Sequence, residues 1–127
     1  MVTTRKYIGI IDDERDLMEL FCEALRSHSF EPKGFTDPLE AINYLTTHHQ
    51  EFLMILTDIR MPEMNGFQLT KLMKQMDEEI KIICMSAFDI HDNDLIEIGM
   101  DEFLNKPIHI DRLIKVITDH ILAKQIQ

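Results

Sequence analysis

Asp12 and Asp13 end the apolar run Tyr7-Ile8-Gly9-Ile10-Ile11, and Asp58 closes a second run, Phe52-Leu53-Met54-Ile55-Leu56-Thr57. Both runs read as strands, so three carboxylates stand at the carboxyl ends of two predicted strands. In an open parallel α/β sheet that edge binds ligands, at the point where strand order reverses. Acids gathered there repel one another and shift each other's pKa values. A hard divalent cation relieves the repulsion, and Mg2+ takes carboxylate oxygens while keeping several waters for a phosphate partner. An aspartate after a strand can instead N-cap the following helix. Capping explains one acid per turn, Asp13 here, but not three that converge.

Two more residues follow predicted strands. Ser86 comes after Ile80 to Met85, and Lys106 comes after Glu102 to Asn105, just before Pro107. A phosphoryl ligand gives each of the five a task. The metal offsets negative charge, a hydroxyl donates a hydrogen bond, and an ammonium holds a phosphate oxygen as a point charge. Asp58, alone on the middle strand, is the natural nucleophile, since an aspartyl phosphate is an established covalent intermediate. Singly, Ser86 could be a helix cap and Lys106 a surface lysine.

The elements that must position these residues alternate strand and helix five times. Strand 1 is about 6–11. In helix 1, Leu17, Leu20, Phe21, Ala24 and Leu25 form one apolar stripe. Strand 2, about 30–35, contains Pro32 and Gly34 and is expected at a sheet edge. Helix 2 opens at Asp37-Pro38-Leu39-Glu40, an acidic N-cap with proline at N1. Strand 3 is 52–57, and helix 3 follows a loop from Pro62 to Gly66 with Leu69, Leu72, Met73 and Met76 facing inward. Strand 4 is apolar except Lys81, as a strand covered on both faces should be. Helix 4, about 90–99, has only a thin stripe at Leu95 and Ile98 beside Asp92, Asp94 and Glu97. Strand 5 spans Glu102 to Asn105, and helix 5 carries Ile110, Leu113, Ile114, Ile117 and Ile121. Five such units without a linker imply one domain over 1–127, a parallel sheet with helices on both faces.

Composition narrows the partners. With 13 basic and 23 acidic residues the formal charge is −10, which disfavours direct binding to nucleic acid or anionic lipid. Cys22 and Cys84 fall in apolar patterns, as small core residues do in a reducing compartment. No apolar stretch reaches the roughly 20 residues of a membrane span. A cytoplasmic location is expected. Of the nine methionines, Met73 and Met76 suit a helix core better than a soft-metal site.

Taken together, Ile11-Asp12-Asp13-Glu14, Thr57-Asp58-Ile59-Arg60-Met61-Pro62-Glu63-Met64-Asn65-Gly66, Met85-Ser86-Ala87 and Phe103-Leu104-Asn105-Lys106-Pro107 resemble a response regulator receiver domain over essentially the whole chain. The resemblance implies a flavodoxin-like doubly wound (βα)5 fold with strand order 2-1-3-4-5. It implies that Asp12, Asp13, Asp58 and the Arg60 main-chain carbonyl hold Mg2+, with Mn2+ as a substitute. Asp58 accepts a phosphoryl group from a sensor histidine kinase or phosphotransfer protein, while Ser86 and Lys106 engage the phosphate. Phe103 stands at the aromatic switch position, where tyrosine is commoner, and Met100 stands where alanine is frequent. The Lys106-Pro107 peptide is expected to be cis.

Switching is expected on the helix 4, strand 5, helix 5 face, read by an effector or output domain, with no output domain expected within residues 1–127. Pairing of the helix 4 acids with Arg112 and Lys115 across a two-fold axis gives a homodimer on phosphorylation as a further expectation. Arg60 and Phe88 flank the path of the attacking water by the same resemblance, which implies a long-lived phosphoprotein. The chain is thus expected to be a phosphoacceptor signalling domain rather than an enzyme. The alternatives are a pseudo-receiver that binds partners without taking phosphate, and an aspartate-nucleophile phosphatase. Such phosphatases carry Asp-x-Asp after the first strand, whereas here Asp58 follows the third.

Overall fold

The computed structural model describes residues 5–87 and 99–126. Five parallel strands lie in the order β2-β1-β3-β4-β5. They are β1 (Tyr7–Ile11), β2 (Glu31–Phe35), β3 (Phe52–Asp58), β4 (Lys81–Ser86) and β5 (Glu102–Asn105). The helices are α1 (Arg15–Ser27), α2 (Pro38–His48), α3 (Gly66–Met76) and a C-terminal helix (Ile110–Ile126), with one 3-10 turn at His49–Glu51. The expected helix at 90–99, with Asp92, Asp94 and Glu97, lies outside the described residues except for Gly99. Phe88 lies outside them too.

Apolar side chains fill both faces of the sheet. Ile8, Ile10, Met54, Leu56, Ile83 and Met85 pack with α1 and the C-terminal helix. Ile11, Ile55, Ile82 and Cys84 pack with α2 and α3. Burying one such side chain fully contributes about 1.5–3 kcal/mol, so the three central strands anchor the fold. Their continuous apolar runs are what a strand needs when both faces are covered. β2 is the edge, as Pro32 and Gly34 require. Asp37 caps α2 by accepting the Leu39 N–H at 2.9 Å. The two cysteines are free and buried.

Two helix faces differ from the expected stripes. In α1 the buried residues are Met18, Phe21, Cys22 and Leu25, whereas Leu20 is half exposed. Two overlapping stripes share Phe21 and Leu25, and the edge strand chooses between them. A Cβ at Gly34 would overlap Met18 Sδ and lie 3.1 Å from Cys22 Sγ, so the space beside Gly34 belongs to the sulfur residues. In α3 the buried positions include Thr70 rather than Leu72, which is 39% exposed. The Thr70 hydroxyl donates to the Gly66 carbonyl at 2.7 Å and touches Cys84 Sγ at 3.4 Å. A satisfied hydroxyl tolerates burial, and a polarity pattern cannot reveal that.

Candidate phosphoryl and metal site

Register brings the acids together. Ile11 pairs with Thr57, so Asp12 and Asp58 leave adjacent strands at the same height. Asp58 pairs with Met85 and Ser86 pairs with Asn105, which places the last residue of β4 and Lys106 at the same edge. Carboxylate oxygens of Asp12, Asp13 and Asp58 lie within 4.8 Å of one another. Asp12 is fully buried, Asp58 nearly so, and Asp13 is exposed.

Both oxygens of Asp12 are engaged. Oδ1 accepts the Glu14 N–H at 3.0 Å, and Oδ2 accepts from the Lys106 ammonium at 2.8 Å. That ammonium lies 3.4 Å from Asp58 Oδ2. The other Asp58 oxygen, Oδ1, receives a long bond from the Arg60 N–H at 3.4 Å. Burial pushes the Asp58 carboxyl above its ordinary value, and the charge of Asp12 adds to that push; Lys106 and the Arg60 N–H offset it only in part. For Lys106, burial works to lower the pKa, but its bond to Asp12 and the charges of Asp12 and Asp58 outweigh burial and raise it. Three carboxylates facing one ammonium leave an excess of negative charge. The donors are all hard oxygens, which suit Mg2+ or Mn2+ and not a soft metal. The residues therefore fit the metal expected from the sequence.

The remaining expected residues divide. Ser86 is buried at the end of β4, and its carbonyl accepts the Lys106 N–H at 2.7 Å. The Lys106-Pro107 peptide is cis. Arg60 is exposed just beyond Asp58. Phe103 in β5 lies opposite Cys84, partly buried against the cluster under α2 and α3. Asp13 is no helix cap, because Glu14 holds the N-cap position of α1.

The sequence assigned no role to the residues that clamp the two peptides flanking Ile59. The Ile59 N–H donates to the Met85 carbonyl at 3.0 Å, and the Ile59 carbonyl accepts the Gly66 N–H at 2.8 Å. The buried Thr57 hydroxyl donates to the Asp58 carbonyl at 2.9 Å. Asn65 and Gln68 form a reciprocal capping box at the start of α3. Asn-x-x-Gln just before an apolar helical pattern was the available signal.

Comparison with known proteins agrees with this geometry. The family described as response regulator receiver domain matches residues 8–118. The polar-differentiation response regulator DivK of Brucella ovis is 29% identical over 121 residues, covering 91% of this chain and 96% of that protein. The hybrid signal transduction protein dokA of Dictyostelium discoideum is 30% identical over 120 residues, covering 92% of this chain but only 7% of that protein. Among solved structures, a CheY-like receiver domain protein of Methanospirillum hungatei JF-1 superposes with a TM-score of 0.87 at 20% identity, covering 95% of this chain and 97% of that one. The response regulator TrrA of Thermotoga maritima, solved with Mg2+ and a beryllofluoride, has a TM-score of 0.79 at 24% identity, covering 91% and 98%. These structural likenesses speak for the fold.

Proposed function

The chain belongs to the response regulator receiver family of two-component signalling, and from that premise we propose that Asp58 is its phosphoacceptor. A carboxylate oxygen of Asp58 attacks the phosphorus of a phosphohistidine in a sensor kinase or phosphotransfer protein. The P–N bond breaks, its electrons return to the imidazole nitrogen, and an acyl phosphate forms on Asp58. Asp12, Asp13, Asp58 and the Arg60 carbonyl would hold Mg2+, which would supply charge neutralisation for the phosphoryl oxygens. Lys106 needs only a short swing from Asp12 to reach a group on Asp58. The Ser86 hydroxyl stands at the end of the neighbouring strand to hydrogen-bond it.

Phosphorylation then biases a two-state equilibrium. Its readout is on the face of β5 and the C-terminal helix, with Phe103 as the moving ring and an effector or output domain as reader. The domain is a signalling acceptor with no substrate of its own, and its setting is the cytoplasm. Among the described residues no helix is long and apolar enough to cross a membrane.

One observation carries the reading: at the carboxyl edge of the sheet, Asp58 is held among two further carboxylates and an ammonium 3.4 Å away. Purified protein given Mg2+ and acetyl phosphate should gain one phosphoryl group by intact mass, and Asp58→Asn none. Adduct formation on Asp58→Asn at the wild-type rate would reject the assignment.

A further inference from the structure

The first turn of α3 presses against the back of the phosphoacceptor strand. A Cβ built on Gly66 would lie 2.6 Å from the Asp58 carbonyl oxygen and 2.9 Å from Ile59 Cα. Both atoms are backbone, so neither can turn aside as a flexible side chain would. At Gly9 the nearest atom is the tip of the Ile55 side chain, where crowding is relieved by a rotamer change. The close approach at Gly66 does more than fill space. It allows the 2.8 Å bond from the Gly66 N–H to the Ile59 carbonyl, which fixes the Ile59–Arg60 peptide next to the clamped Asp58–Ile59 peptide. The Gly66 carbonyl in turn accepts from Thr70, whose hydroxyl rests on Cys84 of β4. Two strands and one helix thus fix the two peptides that flank Ile59, and the Asp58 carboxylate and Arg60 carbonyl lie at the outer ends of that pair.

We propose that Gly66 is a positioning residue for the metal site: by carrying no side chain, it lets α3 set the direction in which Asp58 and the Arg60 carbonyl meet the cation. This rests on the reading of Asp12, Asp13 and Asp58 as a Mg2+ site. A side chain at 66 pushes α3 and the Asp58–Ile59 peptide apart by a few tenths of an ångström. Mg2+ tolerates such displacement poorly, because it demands near-ideal octahedral geometry.

The test is calorimetric titration of Mg2+ into wild type, Gly66→Ala and Leu25→Ala, each at a temperature where circular dichroism shows it folded. Leu25 is a fully buried residue near the far end of α1, so its truncation loses stability without touching the clamp. Gly66→Ala should weaken Mg2+ binding by about 10-fold or more, the effect of disturbing groups that orient metal ligands. Leu25→Ala should stay within about 2-fold of wild type, as an independent distant site does. If Gly66→Ala does not fold, Asn65→Ala takes its place. It undoes the capping box without crowding and should weaken Mg2+ in the same direction. Wild-type affinity in the folded Gly66→Ala, or in Asn65→Ala standing in for it, overturns the proposal. So does an equal loss in Leu25→Ala. A wild type that binds no Mg2+ at all sinks the metal site itself, a result distinct from all of these.

Discussion

Replacing Lys106 by methionine isolates the electrostatics of the site. Methionine keeps most of the apolar stem and removes the ammonium, so Asp12 loses a 2.8 Å partner and Asp58 one at 3.4 Å. The Asp12 side chain has no exposure and that of Lys106 has 14%, so the broken pair counts as buried. Orphaning one member of a buried pair costs about 3–5 kcal/mol. The exposure of Asp13 opens one side of the site to water, which favours the lower figure, about 3 kcal/mol. At roughly 4 °C per kcal/mol the metal-free variant should melt about 12 °C below wild type. Mg2+ should reverse much of this. Two unit charges 4 Å apart interact by about 4 kcal/mol at an effective dielectric constant near 20. Halving that for the open side leaves about 2 kcal/mol, or roughly 30-fold tighter Mg2+ binding in the variant.

Thermal melts at stepped Mg2+ concentrations read both quantities together. Lys106 holds its proton above the ordinary lysine range, so its stabilisation is fully present through neutral pH. The gap between the two proteins should close only in strongly alkaline solution, as the wild type loses the ammonium. A variant as stable as wild type without metal, or one that binds Mg2+ more weakly, would refute the reasoning.

Two further outcomes follow from the same cluster and a third from an ion pair elsewhere in the fold. Burial raises the Asp58 pKa in the fold, so the Asp58 contribution to stability falls as pH rises through the ordinary carboxylate range and on through the raised Asp58 value. Without metal, Asp58→Asn should therefore have the higher urea midpoint at neutral pH, with its advantage gone in acid. Asp13→Asn should bind Mg2+ more weakly and take up phosphoryl groups more slowly, read by calorimetry and intact mass, while its metal-free midpoint does not fall. At the opposite edge of the sheet, Arg5 bonds Asp77 at 2.8 and 3.2 Å, and His49 Nδ1 lies 2.7 Å from the same carboxylate. Burial works against the Asp77 charge, but the Arg5 and His49 bonds outweigh it and lower the pKa. Arg5→Ala should cost about 3 kcal/mol at pH 7 in urea titrations. The deficit should narrow below about pH 4, as Asp77 takes up its proton.

The sheet and the convergence of its acids were legible because they depend on short-range signals. Apolar runs that stop at an aspartate, serine or lysine mark strand ends, and parallel pairing puts those ends on one edge. What a helix buries was less legible, because it depends on what faces it. Leu20 and Leu72 fit the helical period yet stand exposed, while Met18 and Cys22 fill the gap that Gly34 leaves on another strand. The same holds inside the site. Nothing in the order of residues shows that both Asp12 oxygens are already engaged while Asp13 is exposed. Yet that difference decides the chemistry. A cation entering the cluster would meet Asp13 as the exposed donor, and at Asp12 Oδ2 it would compete with the Lys106 ammonium. The same lysine lies 3.4 Å from Asp58 Oδ2, within reach of a phosphoryl group carried there. On the proposed reading, metal entry and phosphate recognition would be linked through one ammonium, a coupling set by three strands meeting at one edge.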